Sequence, residues 1–175
     1  HTFLTKRFDR EDGNRIHFAS AMTMTGNTED SLKTKSPSYL DIVDVIINYG
    51  TDVEENLHQL WRRIVFNIAV SNTDDHLRNH GFILSEKGWR LSPAYDLNPS
   101  IEKNGLALNI DMDDNSLSFE LAKSVGAFFR LSENEMDIII EEVLIVVKDW
   151  KAIAKQIGIS NKEQVIMEAA FRTAL

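Results

Sequence analysis

Between Val53 and Ile68 apolar side chains recur every three or four residues: Val53, Leu57, Leu60, Trp61, Ile64, Val65 and Ile68. That period predicts a long helix with one buried face, reaching to about Ser71. Trp61 and His58 fall on it as packing residues, and Thr51-Asp52-Val53-Glu54 before it reads as a capping box. Upstream, Ser36 as N-cap and Pro37 in the first turn open a helix that runs to Tyr49 and stops at Gly50, with Leu40, Val43, Ile46 and Ile47 as its stripe. Downstream, Gly81–Ser85 and Trp89–Leu91 read as two strands joined at Glu86-Lys87-Gly88, and Leu106 to Ile110 as a further short strand. Leu117, Leu121, Val125 and Phe128 place a helix over 117–129. Ser132 to Glu135 caps a helix reaching about Ile157, and Ser160 to Glu163 caps a last one. At the other end, Asp12-Gly13 is the turn of a hairpin. One of its arms lies in residues 2–9, which carry Phe3, Leu4 and Phe8, and the other resumes at Arg15 to Phe18. Residues 19–35 are polar and punctuated and read as an exposed loop, its two methionines packing inward.

These elements predict an α+β chain, mostly α. Its 175 residues suffice for one domain with a substantial core. The net charge of −8 argues against a main phosphate-binding surface for nucleic acid. With no cysteine there is no disulfide and no thiolate metal site, which fits a reducing compartment. No apolar run is long enough for a transmembrane helix, and the first residues lack the apolar core of a signal peptide. A start at His1 rather than Met points to further sequence upstream.

The chemistry concentrates in residues 72–98. Asp74 and Asn79 are separated by four residues, the spacing of the kinase catalytic loop, where an Asp orients the attacking hydroxyl and an Asn holds magnesium. A hairpin follows, and then Asp96 arrives between Tyr95 and Leu97, in a loop that Pro93 and Pro99 constrain. One carboxylate and one amide oxygen, with substrate phosphates and water, suffice for magnesium. Asp75 is a rival for Asp74, since chemistry alone does not rank adjacent carboxylates. His76 and His80 at i, i+4 suggest instead a metal-dependent hydrolase with Asp74 or Asp75 as third ligand. Such pairs face one another only on a helix, and Asn72, Thr73 and Gly81 speak against helix here. Asp111, Asp113 and Asp114 read as a solvated acidic turn, since the glycine and distal glutamate of an EF-hand are missing.

Asn72-Thr73-Asp74-Asp75-His76-Leu77-Arg78-Asn79, Leu91-Ser92-Pro93-Ala94-Tyr95-Asp96-Leu97 and Lys6-Arg7-Phe8-Asp9-Arg10 together resemble the HipA family of bacterial Ser/Thr kinase toxins, in order and roughly in spacing. The resemblance implies a protein-kinase-like C-terminal lobe over 1–175: a hinge hairpin at 1–18, and a helical lobe at 36–175 that carries the catalytic loop 72–98. It implies Asp74 as catalytic Asp, Asn79 and Asp96 as magnesium ligands, and Asp96 and His76 beside the nucleotide phosphates. Lys6 to Phe8 would form the hinge strand whose backbone meets the adenine of ATP. It further implies a cytoplasmic toxin with a helix-turn-helix antitoxin as partner, DNA reached only through that antitoxin, and a protein substrate such as an aminoacyl-tRNA synthetase. The sequence holds no G-x-G-x-x-G loop and no V-A-I-K lysine, parts the family carries upstream of the hinge, so this chain alone is expected to be weak or inactive. A degenerate kinase serving as a nucleotide- or partner-binding module, and a sugar or small-molecule kinase with a similar lobe, are the other readings.

Overall fold

One helix, Val53–Ala69, forms the centre of the molecule, and Leu57, Leu60, Trp61, Ile64, Val65 and Ile68 on it are completely buried. The computed structural model describes residues 2, 4–34 and 36–174, so Phe3, expected in the first hairpin arm, lies outside the described residues. In chain order the elements are β1 (Arg10–Glu11), β2 (Asn14–Arg15), β3 (Phe18–Ser20), α1 (Ala21–Met24), α2 (Tyr39–Tyr49), α3 (Val53–Ala69), β4 (Gly81–Ser85), β5 (Gly88–Leu91), α4 (Phe119–Ser124), α5 (Glu133–Lys148), α6 (Trp150–Gln156) and α7 (Asn161–Met167). β1 and β2 close the hairpin over Asp12-Gly13, while β3, β4 and β5 form an antiparallel sheet with β4 in the middle. Helices α2, α4 and α5 pack around α3. The architecture is α+β and mostly α.

Several boundaries differ from the sequence patterns, each for a tertiary reason. Residues 4–9 form no strand: Lys6 and Arg7 are irregular and Phe8-Asp9 is a turn. Helix α2 starts two residues late, with Ser38 rather than Ser36 as N-cap and Asp41 completing a capping box. Tyr39 N–H donates to the Asn109 carbonyl and Asn109 N–H to the Pro37 carbonyl, which keeps residues 37 and 38 extended. The buried stripe turns with that shift: Tyr39, Ile42, Val43, Val45 and Ile46 are buried, Leu40 is partly buried and Ile47 is exposed. No capping box opens α3. Thr51 N–H donates to the Trp89 carbonyl, and Asp52 takes a left-handed backbone with φ of 48°. Leu106, Leu108 and Ile110 are buried as alternation predicts, but only isolated bridges, Ser38 with Asn109 and Gly105 with Ser116, stand where a strand was expected. In the 117–129 segment α4 ends at Ser124 and a 3-10 turn follows, burying Phe129 and exposing Phe128. The expected helix to Ile157 breaks at Asp149, where Trp150 stacks on Phe171 at 4.2 Å and starts α6. The 19–35 segment is not all exposed loop, since Ala21 in α1 is fully buried and Met22 and Met24 pack against the core.

Gly50 ends α2 for a steric reason rather than a left-handed one. Its φ is −81°, and a Cβ there would overlap the Ile46 carbonyl oxygen, to which Gly50 N–H donates. Gly50→Ala is therefore expected to destabilise the protein by roughly 1–3 kcal/mol. Urea unfolding of the variant checks this, and an unchanged midpoint would show that the helix end can yield.

Candidate functional site

Helix α3 hands the chain to the loop 72–80 through a left-handed residue. Ser71 has φ of 50°, Asn72 N–H donates to the Asn67 carbonyl at 2.8 Å and Ser71 N–H to the Ile68 carbonyl at 3.3 Å. This is a Schellman closure with serine where glycine is usual. Beyond it the loop alternates. Thr73, Asp75, Leu77 and Asn79 are buried, whereas Asp74 and Arg78 are exposed and His76 is half-buried. The two adjacent carboxylates are thereby separated: Asp74 faces out and Asp75 faces in.

Asp75 is 1% exposed. Its Oδ2 accepts from Tyr39 Oη at 2.6 Å and from Asn67 Nδ2 and His80 Nε2, each at 2.8 Å. The third bond assigns the His80 tautomer with hydrogen on Nε2. Burial, and then the Asp75 charge, push the Tyr39 phenol well above the usual tyrosine range, which keeps it a donor. Asn67 Oδ1 accepts from Asn72 Nδ2 at 3.0 Å, extending the same network to the loop's first residue.

The second segment leaves β5 at Leu91. The buried Arg63 guanidinium donates to the Ser92 carbonyl, and burial holds its pKa down at about 10. Asp96 is exposed, its backbone is left-handed with φ of 56°, and its Oδ1 accepts from Asn98 Nδ2 at 2.6 Å. Two bonds tie this segment to the first: Tyr95 Oη donates to the Arg78 carbonyl at 2.6 Å, and Ser100 N–H to the Ser71 carbonyl at 3.1 Å. Asn79 Nδ2 donates to the Asp74 carbonyl at 3.2 Å, which leaves its amide oxygen as an acceptor.

A cleft of about 1170 Å³ opens beside these segments, its wall including Lys6, Phe8, Phe18, Arg78, Tyr95 and Asp96. The rings of Phe8, Phe18 and Tyr95 form a triangle with centroids 5.7–6.3 Å apart. Gly81, which pairs with Ser20 across the sheet, makes room for the Phe18 ring, since a Cβ there would overlap it. Asp9 also lies in the wall, and its hydrogen bond from Arg7 holds its carboxyl at about 2. Lys6, Phe8 and Asp96 thus share one cavity. Asp74, His76 and Asn79 are not in its wall but belong to the loop that contributes Arg78 to it. The sequence reading missed Phe18 and Tyr95 as cleft residues. Their aromatic character is visible in the sequence, but β3 and the 92–100 segment meet only through the fold.

Asp96, which is exposed, and the buried Asn79 carry hard oxygen donors of the kind magnesium takes. The His76/His80 metal pair is not formed. Both residues have extended backbone, and His80 is buried with Nε2 on Asp75. Among the described residues no three His, Asp or Glu side chains converge as a ligand set, the acidic turn at Asp111 to Asp114 included. In that turn Asp111 Oδ1 caps the Asp113 and Asp114 amides instead.

The Tyr95 phenol gives this junction an alkaline signature. Burial raises its pKa from the ordinary 10 to about 12. Between those values the unfolded chain has lost the proton and the folded chain retains it, so stability falls as pH rises from 10 to 12. Urea unfolding across that window is expected to show the slope, reduced in Tyr95→Phe. Equal slopes in the two proteins would assign it elsewhere.

A family model described as HipA-like C-terminal domain matches residues 1–151. A protein of Sinorhizobium fredii (strain NBRC 101917 / NGR234) named "Putative kinase Y4mE" is 23% identical over 164 residues, which cover 89% of this chain and 34% of that protein. Among solved structures, a chain of the Shewanella oneidensis MR-1 toxin–antitoxin complex of HipA, HipB and operator DNA superimposes with a TM-score of 0.72 at 18% identity, over 97% of this chain and 46% of that one. This last likeness is one of fold. The chain spans about a third of the length of the first relative and under half of the second.

Proposed function

The chain belongs to the HipA-like C-terminal domain family, and on that premise we propose that residues 1–175 are the C-terminal lobe of an ATP-dependent protein serine/threonine kinase. The observation that carries this reading is the alternation of loop 72–80. It leaves Asp74 and Arg78 exposed and His76 half-buried on a loop bonded to the Asp96 segment, while Asp75 is consumed inside.

In this reading the adenine of ATP enters the cleft against Phe8, Phe18 and Tyr95, with the backbone of Lys6 to Phe8 along its edge. Asp96 and Asn79 would hold magnesium, which supplies charge neutralisation at the phosphates. His76, on the loop that contributes Arg78 to the cleft, would be the residue nearest those phosphates by the family resemblance. Asp74 orients the substrate hydroxyl and receives its proton as the oxygen bonds to the γ-phosphorus and ADP departs. Most of the catalytic effect in such transfers is positioning and electrostatics. The sequence has no glycine-rich phosphate loop and no strand lysine of the V-A-I-K type, so full activity belongs to the intact protein.

The intact protein is read as a cytoplasmic toxin held by a helix-turn-helix antitoxin, with DNA reached through that partner and a protein such as an aminoacyl-tRNA synthetase as substrate. The S. oneidensis relative, solved with HipB and operator DNA, supports the pairing. Among the described residues no helix is long and apolar enough to cross a membrane.

The test is magnesium-dependent transfer from ATP by the full-length protein, with mass spectrometry for phosphoserine and phosphothreonine on the protein and on lysate proteins. Asp96→Asn is expected to remove the magnesium dependence of ATP binding and to cut transfer by about 10²-fold or more. ATP binding without transfer would favour the degenerate binding module, and no ATP binding would overturn both.

A further inference from the structure

We propose that Asp75 is a positioning residue, a buried carboxylate that fixes loop 72–80 in the one conformation that turns Asp74 outward. The inference rests on the kinase reading of Asp74 but is carried by a different set of atoms.

The loop has little apolar packing to define it. Of its four inward side chains between Thr73 and Asn79, only Leu77 is apolar, and the only regular structure is a 3-10 turn over Leu77–Asn79. Its shape must therefore come from hydrogen bonds. Asp75 gathers them from three places: Tyr39 at the start of α2, Asn67 near the end of α3, and His80 at the loop's exit. Asn67 also reaches the Tyr39 hydroxyl at 3.2 Å and receives Asn72, so the loop is held at its first residue, its middle and its last. His80 is fixed in turn, since its carbonyl accepts from Ala21 N–H at 2.8 Å and its ring meets Tyr39 edge-on at 5.7 Å.

A buried carboxylate is costly unless its donors are all in place, so conformations that withdraw one donor are penalised strongly. Asp74 stands in the turn that leads directly into Asp75, exposed where its neighbour is buried. The bonds that hold Asp75 inward therefore also fix where that turn presents Asp74. Two carboxylates side by side thus divide the work, one as anchor and one as tool, which is the support a reactive side chain on a loop requires.

The experiment compares Asp75→Asn and Tyr39→Phe with the parent full-length protein, by steady-state kinetics and by amide hydrogen exchange. Asp75→Asn puts an amide where three donors converge, and Tyr39→Phe withdraws a single donor with little change of shape. Both are expected to speed exchange of the 72–80 amides about tenfold or more while residues 133–148 keep their protection. Both are expected to lower kcat roughly 10- to 100-fold, with KM for ATP within about twofold. Unchanged exchange in the loop would overturn the proposal. So would loss of protection across the whole chain in both variants, which would make Asp75 a folding residue only. A kcat equal to the parent's despite a loosened loop would overturn the link to Asp74. If the parent transfers no phosphate, the kinase reading fails, and hydrogen exchange still decides whether Asp75 holds the loop.

Discussion

Asp74→Ala in the full-length protein is expected to lower phosphoryl transfer by about 10²- to 10⁴-fold, the range for loss of a proton-accepting group, with thermal stability unchanged. Asp74 is exposed, and among the described residues its carboxylate has no hydrogen-bond partner. Truncating it removes no packing and orphans no donor, so the effect on folding stays within about 0.5 kcal/mol. ATP binding is expected to persist, because the cleft wall and Asp96 are untouched. The measurement is single-turnover transfer beside a melting curve for each protein. A variant that transfers at the parent rate would remove Asp74 from the mechanism. A variant that melts early would mean that the outward carboxylate carries a structural bond.

Trp61→Ala is expected to cost about 3–5 kcal/mol of stability, the usual range for emptying a large aromatic site in a core. Trp61 is completely buried on α3, and its Nε1–H donates to the Ala122 carbonyl at 3.0 Å. The substitution removes that donor as well as the ring, so it also strands a buried carbonyl. For a domain of this size the loss lowers Tm by roughly 10 °C. Trp61→Phe separates the two contributions, since it fills most of the cavity and loses only the donor. Its cost is expected near 1–2 kcal/mol. Equal midpoints for parent and Trp61→Ala would show that α4 collapses onto α3 without penalty.

Where short-range chemistry decided the fold, the sequence announced it. The apolar period of α3 is visible because both neighbours of each turn lie within four residues. The boxes at Ser132 and Ser160 form as their spacing requires. Where a distant partner decided, local rules misled. Ser36 and Ser38 flank Pro37, and proline chemistry favours the first; the backbone bonds to Asn109 select the second. Thr51 has the spacing of a capping residue, yet its amide goes to Trp89. The candidate site divides in the same way. Asp74, Asn79 and Asp96 could be picked out because they lie within one stretch at a characteristic spacing. The role of Asp75 could not, since its partner Tyr39 lies 36 residues away. The cleft was less legible: resemblance gives Lys6 to Phe8 as a hinge strand, and no strand forms there although Lys6 and Phe8 line the wall, while Phe18 and Tyr95 needed the fold to bring them together.

The Asp75–His80 bond also determines how this stretch tolerates changes of length. The two residues stand five apart in the chain and share one hydrogen bond across the 3-10 turn at Leu77–Asn79. A residue inserted or lost between them would part that bond or pull the carboxylate away from Tyr39 and Asn67. Indels here would unfasten an anchored loop, whereas in the polar turn at residues 111–114 they would merely resize a bend.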